Sequence, residues 1–246
     1  MRYFLILFFI ISFFGIEIFA QSGRITPKAA PVTDSTVSEL NSLAADKMLD
    51  EASAYAKNKF AEFERKKISY SDSLYRKTVL EQKQLAAKYA ASLSARQNLT
   101  TADYYYLGML YWLSDNGDGA TEALEKFLAS ENPSAEKLQA ARSVLVIVMA
   151  RRKKFDEAER LFVEYLKTEP VKLSDRSKIE NEFALNYQIE KDYSRAAVHA
   201  EEAYRLMKIL FKDLPSRTRA LNDLLNAGLK VFDIYRAGNK QPEADK

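Results

Sequence analysis

Asn116-Gly-Asp-Gly-Ala120 before TEALEKFL (121–128), Lys154-Phe-Asp-Glu-Ala158 before ERLFVEYL (159–166), and Asp192-Tyr-Ser-Arg-Ala196 before AVHAEEAY (197–204) repeat one pattern. The small residues Ala120, Ala158 and Ala196 stand 38 apart both times. Each follows a helical stretch that ends in a short polar turn, and each opens a second helix. A recurring helix–turn–helix unit of this length is the signature of an α-solenoid, in which one hairpin cannot bury its apolar face alone and stacking supplies the core.

These units resemble tetratricopeptide repeats. With each Ala as the family's twentieth position, Tyr104, Leu107-Gly108 and Tyr111 take the family's residue types in the first unit. In the second, Leu145, Phe155, Ala158, Phe162 and Pro170 do so, with Val146 replacing the usual Gly. In the third, Phe183-Ala184, Tyr187, Tyr193, Ala196 and Ala203 match. The resemblance covers Thr101 to about Leu210. It implies small residues where paired helices approach and bulky ones filling the seam. The period exceeds the family's by about four residues per unit, which are expected to fall in longer second helices and in linkers such as Glu169–Ser174.

Ahead of the repeats, Thr36-x-x-Glu39 forms a capping box. It predicts a long helix with an apolar face through Leu40, Ala44, Met48, Ala52, Tyr55 and Phe63. A break at Ile68 to Ser71 leads to a second helix with Leu74, Leu85, Tyr89 and Leu93 on its inner face, so 35–100 is expected to be an antiparallel hairpin. Residues 101–214 hold the repeats, and 215–246 a C-terminal helix capped by Ser216 after Leu214-Pro215. Tyr235 to Ala244 resembles the start of a fourth unit, read either as an atypical terminal cap or as a repeat cut short.

The first 20 residues read as an export signal. Arg2 precedes an apolar run from Tyr3 to Ile16, and Ala20 offers a small residue for cleavage. The alternative is an uncleaved anchor, although about 14 apolar residues fall short of a bilayer span. Membrane contact is expected only in that case, and otherwise a secreted or periplasmic protein. Residues 21–34, with two prolines and no periodicity, read as a flexible leader.

Composition narrows the function classes. With 7 Gly and 6 Pro in 246 residues, long stretches pass without a breaker, which favours helices. The chain has no Cys, so thiol nucleophiles, thiolate metal sites, disulfides and lipidation at a lipobox are excluded. The 37 basic and 34 acidic residues are interspersed, leaving no basic stripe for nucleic acid. One histidine, His199, cannot make a metal site or a triad without partners, and it reads as a packed or surface residue. The acidic pairs Glu180/Glu182 and Glu201/Glu202 read as solvent-facing. Asp115–Asp118 lacks the ligand ladder of a calcium loop, and neither a phosphate-binding Gly loop nor a nucleophile elbow is present. No catalytic residue, metal or cofactor is therefore predicted.

The resemblance implies a groove lined by the first helices of the units. Carried onto this chain, the groove positions include Tyr105, Met109 and Trp112, then Ser143, Ile147 and Ala150, then Lys178, Asn181, Leu185 and Gln188. Tyr105 and Met109 stand where the family's chaperone-tail clamp wants Lys and Asn, so the groove suits a helix or an extended apolar peptide instead. The same aromatic stripe would equally serve as core against the N-terminal hairpin. The expected role is an exported scaffold that binds a protein or peptide partner. A helical module of a larger envelope enzyme, such as a thioredoxin-like reductase, and a homo-oligomerising solenoid are the alternatives.

Overall fold

The computed structural model describes residues 43–130, 133–169, 171–212 and 217–239. The predicted signal, the leader, the Thr36/Glu39 capping box with Leu40, Pro170, Leu214-Pro215, Ser216 and Ala244 lie outside them. The fold is all-α, a solenoid built from antiparallel helix hairpins, with no strand among the described residues. No described helix is long and apolar enough to cross a membrane. The chain divides into two units, Met1–Asn98 and Leu99–Lys246.

The first unit pairs α1 (Ala45–Arg65) with α2 (Asp72–Ser94). Ala52, Ala56, Ala86 and Ala90 are fully buried, so the two backbones approach closely around Met48, Tyr89 and Leu93. Polar anchors fix the register: Gln82 Nε2 donates to the Ala52 carbonyl at 2.8 Å and the Tyr89 hydroxyl to Glu51 at 2.5 Å. The predicted helix running from Thr36 is corrected here. Ala44 is extended (φ −64°, ψ 145°) and serves as the N-cap, so α1 begins at Ala45. Thr78 and Gln82 are buried on α2, while the predicted Leu74 and Leu85 are only half-buried.

The second unit contains α3 (Thr101–Leu113), α4 (Gly117–Leu128), α5 (Ala135–Arg151), α6 (Phe155–Lys167), α7 (Leu173–Ile189), α8 (Tyr193–Lys212) and α9 (Arg217–Ala237). The pairs α3/α4, α5/α6 and α7/α8 are the three hairpins, and α9 packs on α8. The starts of α3, α4 and α5 carry side-chain caps for their orphan amides. Thr100 and Asp103 form a reciprocal capping box, and Asn116 and Ser134 accept from amides three residues on. Each hairpin turns through one left-handed residue, Asp115 (φ 68°), Lys153 (φ 61°) and Lys191 (φ 61°), spaced 38 apart. The next amide then bonds back to Tyr111, Met149 or Tyr187, which is a Schellman closure.

Ala120, Ala158 and Ala196 are fully buried in the seams. At Gly108 an added Cβ would stand 2.5 Å from Leu124 Cγ, and at Gly119 it would stand 2.8 Å from the Tyr111 ring. Those contacts are why the first hairpin has glycine at these two positions. Around the small residues pack Leu107, Leu145 and Phe183 from first helices and Leu124, Phe127 and Phe162 from second helices. Each such side chain contributes about 2–3 kcal/mol of burial. The extra four residues per unit do not lengthen the second helices of the first two units, which have 12 and 13 residues. They lengthen the first helices, where α5 and α7 have 17 residues against 13 in α3. One added turn keeps the hairpin register, because four residues return nearly to the same helix face.

Candidate binding face on the first helices

The first helices α3, α5 and α7 pack side by side. Between α3 and α5, Lys137 Nζ lies 4.5 Å from the Tyr106 ring centroid and donates to its hydroxyl at 2.9 Å. Arg151 stacks its guanidinium 5.0 Å over Trp112 and holds Glu182 of α7 through two bonds of 3.0 and 2.7 Å. Lys153 to Glu190 and Lys172 to Glu136 link the same pair of units at its two ends. Such exposed pairs add at most about 1 kcal/mol each, but they fix the spacing of the helices. On the far side of α7, Lys230 Nζ of α9 donates to the Asn181 carbonyl at 3.1 Å. Burial pulls that amine down to about 8, against the opposing pull of the Glu182 carboxylate.

The residues predicted for the groove separate into two sets. Tyr105, Met109 and Trp112 are half-buried and pack against the seam formed by α4 and α5. The Tyr105 ring lies 5.3 Å from Phe127, and burial pushes its phenol up to about 12. Ile147 is 7% exposed inside the core, and Ala150 is fully buried, so neither lines a surface. The physical reason is that α5 has neighbours on both sides: Val144 to Ala150 is buried without interruption, and no polar stripe remains.

On α7 the pattern differs. Lys178 is exposed and paired with Asp175 at 3.0 Å, and Asn181 is half-buried with its amide on the Ser177 carbonyl. Leu185 is 42% exposed, and Gln188 is half-buried. Steps of three and four residues place these on one helical face. Ile189, 56% exposed, extends it and was not singled out from the sequence. Its spacing of four from Leu185 was the available signal. The result is an aliphatic step of two side chains, bordered by polar groups, at the C-terminal end of α7.

The other side of α7 carries a buried polar network. Glu180, expected to face solvent, is 3% exposed. Its carboxylate receives His199 Nδ1 of α8 at 2.7 Å, with Arg176 Nε 3.6 Å from the other oxygen. Arg176 continues to Glu202 at 2.7 Å, and Glu202 is held in turn by Arg205. The imidazole stacks on Phe183 at 4.6 Å and Tyr187 at 5.7 Å. A buried carboxylate needs such partners, and this set locks α7 to α8. Among the described residues no three His, Cys, Asp or Glu come together as a metal site.

No family model matches the chain, and no curated protein matches it. Among solved structures, BtubC (BKLC) from P. vanneervenii is similar at 18% identity, with 82% of this chain and 87% of that chain covered and a TM-score of 0.49. That likeness is too remote to speak to function.

Proposed function

We propose that the chain is an exported scaffold of the tetratricopeptide type, which binds a protein or peptide partner and carries out no catalysis of its own. The observation that carries this reading is the face of α7, where Leu185 and Ile189 leave about half of their surfaces in water. A partner helix or extended apolar segment that covered them would remove the water from both, contributing about 1.5–3 kcal/mol together. Lys178 and Gln188 on the same face supply the polar contacts that orient a ligand. Export rests on the N-terminal segment, with Arg2, the apolar run and Ala20 as its parts.

The test is a pull-down from an envelope extract with the parent chain and with Leu185→Glu/Ile189→Glu as baits. The expected outcome is a discrete partner on the parent that is lost with the double variant, whose far-UV circular dichroism stays unchanged. Identical capture by both baits would rule out this face.

A further inference from the structure

The second unit holds an apolar groove that no described element fills. It lies between α8 and α9, has a volume of about 460 Å³, and is walled by Tyr204, Leu221, Leu225, Leu229 and Phe232. Leu221, Leu225 and Leu229 stand four residues apart, each more than half exposed, while the other stripe of α9, including Ala227 and Ile234, is buried. The helix thus has two apolar stripes and uses one. In the three hairpins, each first helix has a second helix lying along it. The groove is the corresponding seat on α9.

Two observations define what fits this seat. The first is steric. Gly108, Val146 and Ala184 stand five residues before the ends of α3, α5 and α7, and the last two are fully buried. The same register on α9 holds Phe232, only half-buried. A ring there keeps an incoming helix further out than the seams of the repeats allow, so the seat suits a helix with large side chains rather than a close-packed one.

The second observation is charge. Lys208 lies 4.7 Å over the Tyr204 ring and Arg236 lies 5.5 Å over the Phe232 ring, so both ring walls carry a cation. Lys212 follows Lys208 by one turn on the same face of α8. None of the three forms an ion pair with a described residue, whereas Arg151, Arg152, Lys153, Lys172, Arg176 and Arg195 of the same unit all do. Asp233 on the exposed flank and the half-buried Asp223 are the acids of α9. Glu201 accepts from the Tyr235 hydroxyl, and Glu202 is held by Arg205 and Arg176. Among the described residues the rim is therefore net positive. A second copy of this chain would set the same cations against one another.

We infer that the groove between α8 and α9 docks an amphipathic helix of a partner protein, with a leucine-type stripe seated on Leu221, Leu225 and Leu229 and acidic flanks meeting Lys208, Lys212 and Arg236. This surface is separate from the α7 face, so the chain would hold two partners, or two parts of one.

The probe is a fluorescent synthetic peptide of about 18 residues, long enough for helix formation on contact, with Leu at helical spacing and Glu on both flanks. A second peptide keeps the stripe and replaces Glu by Lys. Anisotropy titrations of the full chain should show the acidic peptide binding at least about tenfold tighter, with the difference shrinking in high salt. Leu225→Asp should weaken binding at least about tenfold, and Lys208→Glu/Arg236→Glu should reverse the preference, with circular dichroism unchanged in both. Leu185→Glu/Ile189→Glu should bind the acidic peptide as the parent does. Equal or absent binding of the two peptides would overturn the inference. So would loss of binding in the α7 variant, or self-association that Leu225→Asp abolishes, which would make a second copy the occupant.

Discussion

Gly108→Ala tests the packing logic of the hairpins, because its sign depends on whether the α3/α4 seam is tight. In an open helix the substitution stabilises by about 1 kcal/mol, through the lower backbone entropy of Ala. In this helix the new Cβ would stand 2.5 Å from Leu124 Cγ and 2.6 Å from Cδ2, with the Leu124 amide nitrogen at 3.3 Å. Ordinary contacts lie near 3.5–4.0 Å, so Leu124, fully buried, must shift by about an ångström in a space already filled. Overpacking of that kind costs about 1–3 kcal/mol. The net expectation is a loss of up to about 2 kcal/mol, or a fall in Tm of a few degrees for a chain of this size. Leu124→Ala alone should cost about 2–5 kcal/mol through the cavity it leaves. With both changes the new methyl enters that cavity, so the double variant should lose less than the sum, with a coupling of about 1–3 kcal/mol. Urea denaturation of the four proteins measures this cycle. A stabilising Gly108→Ala with additive energies would show a loose seam and refute the close-approach argument.

Three further outcomes follow from particular groups. Glu180→Ala strips His199 and Arg176 of their buried acceptor and should destabilise by about 3–5 kcal/mol; a loss under about 1 kcal/mol in denaturant melts would mean that the network does not lock α7 to α8. Lys191 holds φ 61° with an exposed side chain, so Lys191→Gly should raise stability by about 0.5–1 kcal/mol in the same assay, since Gly carries no left-handed penalty. Lys230 releases its proton near 8 in the folded chain but near the ordinary 10.5 when unfolded, so the unfolded state binds more protons between those values. Stability should therefore rise with pH across that window. Above pH 10 the direction reverses, because burial holds Tyr89 and Tyr105 up at about 12. Melting curves from pH 7 to 10 should show the rise in the parent and its absence in Lys230→Met, and a rise that persists in the variant would assign it elsewhere.

The repeat was legible because its constraint is steric and local. A buried Ala recurs every 38 residues at 120, 158 and 196 in sequence and structure alike, and the structure adds a left-handed turn at 115, 153 and 191 with the same spacing. Less legible was anything that depends on which face of a helix meets its neighbours. Glu180 and Glu182 are two residues apart on α7, yet one is buried against His199 and the other meets Arg151. Charge alone predicted the same environment for both. Ile147 took a groove position by register, but the uniformly apolar Val144–Ala150 run signals a helix enclosed on all sides. The added turn in α5 and α7 was misplaced because a four-residue insertion leaves the apolar phase nearly unchanged wherever it sits.

The proposed role depends on the α7 face meeting a partner. A photo-crosslinking amino acid placed at position 185 tests it most directly, with positions 163 and 198 as controls. Val163 and Val198 are as exposed as Leu185 but lie on second helices, at 49% and 65% against 42%. One discrete crosslinked product is expected from position 185, and none from 163 or 198, when each chain is irradiated in cells that express it. No adduct at 185, or the same products at all three positions, would contradict it.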